Sequence, residues 1–172
     1  MALLEILKYI LPSVVVLLAS YFAMKAFFDN EQNKRRMDMR SSNQKLVTPL
    51  RLTAYERLVM FLERIQPDSM ILRIQHPSMT AKKLQQDMLS LIRAEFEHNL
   101  SQQVYVSNQA WEVIKSAKEN TVKIINMAAD KVEPDAPSYE LGKAILEFIM
   151  QANKTPATVA IEFLKNEVRQ YF

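Results

Sequence analysis

The chain has 172 residues, 22 Lys and Arg against 19 Asp and Glu for a formal charge of +3, one glycine and no cysteine. Without thiols there is no disulfide framework, no cysteine nucleophile and no zinc-thiolate site. A lone glycine also excludes phosphate-cradling loops and the Gly-x-Ser-x-Gly elbow of hydrolases, which need positions where no side chain blocks approach to the backbone.

The first predicted element is an apolar helix. Tyr9 to Met24 gives sixteen consecutive uncharged residues between Lys8 and Lys25, and Ala26-Phe27-Phe28 add a further turn. With Lys25 snorkelling along its aliphatic stem, about 20 residues at ~1.5 Å each match a hydrocarbon layer of ~30 Å. Tyr9 at one end and Tyr21, Phe22, Phe27 and Phe28 near the other suit the two interfaces. Glu5 in the leading segment and the exit Met-Lys-Ala-Phe-Phe-Asp do not fit a cleaved signal. A surface-lying helix would need a polar face, and only Ser13 and Ser20 interrupt the run. Residues 1–28 are therefore expected to be a short tail and a transmembrane anchor.

Orientation follows from the flanks. Lys8 and Glu5 precede the run, whereas Lys25, Lys34, Arg35, Arg36, Arg40 and Lys45 follow it. The positive-inside tendency places the N-terminus outside and the C-terminal bulk in the cytoplasm, as a single-pass protein of the inner (cytoplasmic) membrane. Residues 29–45 form the expected basic stalk. Asp29 to Gln44 holds neither Gly nor Pro, which predicts that the helix continues before fraying into a linker at Ser41-Ser42-Asn43.

Residues 1–40 carry six Lys or Arg and four Asp or Glu, and the remainder sixteen and fifteen, so the bulk is nearly neutral. The excess sits on Lys34, Arg35, Arg36 and Arg40, beside anionic headgroups, where each charge contributes about 1 kcal/mol. The strip from residue 34 to 51 is alternatively a nucleic-acid contact, although it lacks interleaved aromatics and no binding motif follows it.

Residues 46–172 are expected to form one all-α bundle of about five helices, large enough for a single core. Thr48-Pro49 reads as a cap with Pro at the first helical position, followed by Tyr55, Leu58, Val59, Leu62 and Ile65 at helical spacing up to Pro67. Leu52, Ala54 and Phe61 add a second apolar edge, so this helix should be central and its extra edge needs cover. Residues 69–75 fit a short helix or a brief extended segment. Ser78 or Thr80 caps the next helix, marked by Leu84, Met88, Leu91, Ile92 and Phe96. Ser101 to Val106 weakens the pattern before a fresh cap at Ser107. From Asn108 the stripe Trp111, Ile114, Ala117, Thr121, Ile125, Ala128 runs to the break at Glu133-Pro-Asp-Ala-Pro137. Leu141 to Ala152 marks another helix, and Thr155-Pro156 starts the last.

Candidate chemistry is sparse. Glu95 and His98 share a helical face like half of a di-iron carboxylate site, yet a second Glu-x-x-His is missing and His76 stands elsewhere. A surface pair is the plainer reading, so no metal or other cofactor is expected. Glu133 and Asp135 flank Pro134 in a turn, where capping accounts for them better than acid–base catalysis. Trp111 reads as a core anchor. Arg51, Tyr55, Arg57, Glu63 and Arg64 combine forked donors and an aromatic on one helix, and they form the expected partner-binding surface.

The stretch Arg51-Leu-Thr-Ala-Tyr-Glu-Arg-Leu58 with Phe61-Leu-Glu-Arg-Ile65 resembles an uncharacterised family of small single-pass membrane-anchored proteins from Bacteroidetes-type bacteria. That resemblance implies a bacterial inner-membrane protein and no particular activity. The sequence thus predicts a membrane-tethered, non-enzymatic interaction module, or an accessory subunit of a larger membrane assembly. Its partners would be the bilayer and another protein, with no small-molecule substrate. A tethered nucleic-acid binder is the alternative.

Overall fold

A computed structural model describes the backbone of residues 2–171 and the side chains of residues 14–39 and 44–170. The chain is helical throughout, apart from loops and one isolated bridge between Thr80 and Pro137. Six α-helices run in order: α1 (Ala2–Arg64), α2 (Pro67–Ile74), α3 (Ala81–Asn99), α4 (Asn108–Ala129), α5 (Ser138–Gln151) and α6 (Pro156–Tyr171). A 3₁₀ turn, Leu100–Val104, links α3 to the α4 cap. The chain divides into two compact units, residues 1–47 and 48–172.

Unit one is a single stretch of helix, and none of its described side chains is fully buried. Every described residue from Val14 to Met39 is exposed except Glu31, which is half-buried. Ten large apolar side chains between Val14 and Phe28 stand 47–67% exposed. No helix among the described residues is long and apolar enough to cross a membrane. Val14–Phe28 is the part of the expected anchor whose side chains are described, fifteen residues interrupted by Lys25. The expected transmembrane anchor therefore lacks support from the described residues, and its first positions, Tyr9–Ser13, lie outside the side chains that are described.

The stalk does not fray. Helix α1 continues through Ser41-Ser42-Asn43 and past Pro49 to Arg64, so the predicted linker is helix and Thr48 caps nothing. Pro49 removes one intrahelical donor, and one turn later the Thr53 hydroxyl donates to the Pro49 carbonyl at 3.0 Å. The polar residues before it include no glycine, so nothing upstream favours leaving the helix.

In unit two the last turns of α1 form the centre of the core. Ala54, Tyr55, Leu58, Phe61 and Leu62 recur every three or four residues and are buried, with Ile65 following just beyond the helix end. Pro67 ends the helix by forcing Gln66 to extended angles (φ −60°, ψ 129°) and then serves as the first residue of α2. The short apolar run that fits two conformations is helix, with Met70 and Ile71 buried. Arg73 of α2 donates its guanidinium to the Arg64 carbonyl, covering an orphan acceptor at the end of α1.

The caps at three later helices are side-chain hydroxyls. Thr80 accepts from the Lys83 N–H at 3.3 Å, Ser107 from Ala110 at 3.0 Å and Thr155 from Thr158 at 3.1 Å. The loop between α4 and α5 also closes the start of α3: the Ala136 carbonyl accepts from the Ala81 N–H at 2.8 Å and Pro134 from Lys82 at 3.0 Å. Backbone carbonyls, rather than the exposed side chains of Glu133 and Asp135, do the capping there.

Packing fits these pieces together. Phe61 of α1 meets Phe96 of α3 at 5.9 Å between ring centroids, and Phe96 stacks on Trp111 of α4 at 5.5 Å. Trp111 is buried, as expected of a core anchor. Helix α6 packs along α4, where the buried alanines Ala117, Ala157 and Ala160 permit a close approach. Gly142 is buried on α5 because a β-carbon there would meet the Gln75 side chain at 3.3 Å and Ile71 of α2 at 3.6 Å. Since Leu58 is wholly buried in the middle of this core, Leu58→Ala should lower the unfolding free energy by about 2–5 kcal/mol, read by urea denaturation of the full chain followed by circular dichroism.

Candidate interaction surface

The structure scatters the five residues expected to form one contact surface. Tyr55 is only 2% exposed and belongs to the core, so it is corrected from a contact residue to a packing one. Its position three residues before Leu58 puts its ring on the buried stripe, which the helical spacing already implied. Arg51 is half-buried, and its Nε donates to the Tyr105 carbonyl at 3.0 Å, tying α1 to the segment after the 3₁₀ turn. Arg64 reaches both oxygens of Glu95 on α3, at 3.1 and 3.3 Å. Arg57 and Glu63 are exposed, and Glu63 accepts from the Gln66 side-chain amide.

Pairing with Arg64 also explains Glu95. Its carboxylate is engaged by a guanidinium, His98 is exposed on the helix end, and no group of three or more His, Asp or Glu converges among the described residues.

A polar cluster lies under α1. The Tyr55 hydroxyl sits beside the Glu167 carboxylate of α6, which is itself buried, and beside the Arg51 guanidinium. Burial holds the tyrosine pKa above its usual value of 10.0; the Glu167 carboxylate adds to the rise, and Arg51 partly offsets it. The cluster ties α1 to α6.

Next to it runs an apolar groove of about 640 Å³. Helix α1 contributes Leu52, Tyr55, Glu56, Val59, Met60 and Glu63, and α6 contributes Leu164, Lys165, Val168 and Arg169. On α1 these residues form a stripe at helical spacing immediately beside the buried one. The floor is hydrocarbon. Acid stands along the α1 side at Glu56 and Glu63, and base along the α6 side at Lys165 and Arg169. No ion pair among the described residues engages any of the four.

Sequence reasoning found half of this site. A second apolar edge on residues 48–65 is visible as a helical pattern, but two of its expected members, Ala54 and Phe61, are fully buried, while Leu52 and Val59 line the groove. The α6 wall carries no local signal, because Lys165 and Arg169 look like ordinary solvated charges until the fold sets them opposite α1. Of the residues expected at a membrane surface, Lys34, Arg35 and Arg36 are exposed on α1, with Arg35 paired to Glu31 at 3.2 Å; the Arg40 side chain lies outside those described.

The family model DUF7935, described as a family of unknown function, matches residues 1–171. No curated protein and no solved structure matches the chain.

Alkaline titration isolates the polar cluster. A tyrosine whose folded pKa is raised contributes stability that is intact below the unfolded value and is lost as pH climbs toward the folded one. Urea midpoints of the full chain should therefore fall as pH rises above the usual tyrosine value of 10.0, and Tyr55→Phe should flatten that fall while leaving the neutral-pH fold intact by circular dichroism.

Proposed function

The chain belongs to DUF7935, and from that premise, which brings no activity with it, we propose that it is a membrane-tethered, non-enzymatic interaction module. The bundle would present the α1/α6 groove to a protein partner on the cytoplasmic side, alone or as an accessory subunit of a larger assembly. The observation that carries the contact role is the groove itself: an open hydrocarbon floor flanked by charges of both signs that no ion pair among the described residues engages. Apolar surface in contact with water is a standing cost, and proteins keep it where something else comes to cover it. The charged rim would orient what docks there and exclude mismatched surfaces.

Tethering draws on the other unit. The apolar side chains from Val14 to Phe28 are exposed among the described residues, and in the sequence they continue the uncharged run that starts at Tyr9. Lipid is the natural cover, and the basic residues that follow favour the cytoplasmic face. On this reading Lys34, Arg35 and Arg36 lie at the headgroups.

Two experiments test the two halves. After cell lysis the full chain should stay in the membrane pellet through an alkaline carbonate wash and leave it only with detergent, whereas deletion of residues 9–28 should release it. Recovery of the intact chain in the wash would end the tethering half. Val59→Asp, which sets a charge on the groove floor, should remove co-purifying protein from mild-detergent preparations while helix content is kept. An unchanged set of co-purifying proteins would end the contact half.

A further inference from the structure

We propose that the α1/α6 groove is closed by the same face of a second copy of this chain, so that the module works as a two-fold dimer. This rests on the reading of the groove as the contact surface and names its occupant.

The argument is the placement of charge. The acidic side of the rim comes wholly from α1, at Glu56 and Glu63, and the basic side wholly from α6, at Lys165 and Arg169. Glu56 and Glu63 are two helical turns apart and Lys165 and Arg169 about one, so each pair projects from one side of its helix. Neither pair is neutralised within the chain by an ion pair among the described residues. A two-fold axis through the groove lays α1 of one copy over α6 of the other, which sets the acidic side of each copy against the basic side of its partner. A closed dimer requires this kind of self-complementary patch. A partner carrying a single sign of charge would meet half of the rim with repulsion.

Met60 supplies the apolar half of the fit. It lies between the two glutamates and is 60% exposed, the most exposed apolar side chain on this stretch of α1. Opposite a second copy it becomes a knob for the partner's groove, and its unbranched thioether can adapt to that floor.

The test uses the full chain in mild detergent, with protein mass read by sedimentation equilibrium corrected for bound detergent. The wild type should have twice the chain mass. Glu56→Lys with Glu63→Lys makes the whole rim basic, and Lys165→Glu with Arg169→Glu makes it acidic. Each variant alone should dimerise at least about tenfold more weakly. Mixed in equal amounts, they should form dimers containing one copy of each, a rescue that a misfolded variant could not give. A monomeric wild type, variants that still self-associate, or a mixture that stays monomeric would overturn the proposal. A monomeric wild type that loses a different co-purifying protein on Val59→Asp would leave the groove as a contact surface with another occupant. A monomer whose co-purifying proteins ignore that substitution would remove both readings.

Discussion

The buried stripe on the last turns of α1 is the constraint on which the bundle depends. Its side chains supply the apolar centre, and its neighbours fix the helices around that centre: Phe61 on Phe96 of α3, Arg64 on Glu95, the Arg64 carbonyl on Arg73 of α2, Tyr55 beside Glu167 of α6. Hydrocarbon burial supplies the driving force, and the polar contacts at the edges of the stripe set direction: the Arg64 and Arg73 contacts are exposed, whereas the buried Tyr55 and Glu167 would be left desolvated and unsatisfied if α6 shifted. A helix that organises a core in this way carries more apolar surface than one layer of neighbours can cover. The groove beside the stripe follows from the same sequence that makes the core.

That origin separates the two kinds of apolar exposure in this chain. On Val14–Phe28 the side chains are exposed all round, with only Ser20 and Lys25 to interrupt the apolar surface. Around the groove the apolar floor is bounded by charges whose signs are sorted by helix. The first suits a disordered, fluid environment such as lipid, which asks for hydrophobicity and no particular shape. The second suits a surface that must be recognised, since a charge in the wrong place on an incoming partner costs more than the apolar contact returns.

What could be read in the sequence divides along the same line between local and assembled features. Hydroxyl caps announce themselves within four residues, so Ser107 and Thr155 mark their helices directly, and the structure chooses Thr80 over Ser78. Proline punctuation placed the ends at Pro67 and at the Pro134 to Pro137 break. The same rule misled at Thr48-Pro49: a cap signal matters only where a helix needs to begin, and here one arrives already formed. Tyr55 shows the opposite limit. Its spacing puts it with Leu58 and Leu62, but an aromatic beside arginines also looks like a contact residue, and only the packing of α6 against α1 decides between them. The ion pair of Arg64 with Glu95 and the basic wall of α6 are products of the fold, with no trace in any window of the sequence.

The loop between α4 and α5 has a part in how the chain matures. The carbonyls of Pro134 and Ala136 terminate the N–H groups of Ala81 and Lys82, so the leading turn of α3 stays unfinished on a growing polypeptide until translation has passed residue 136. Helices α5 and α6 follow this loop in the chain, so the buried Leu141, Ile145, Ala160 and Leu164 can join the core only after it has been made.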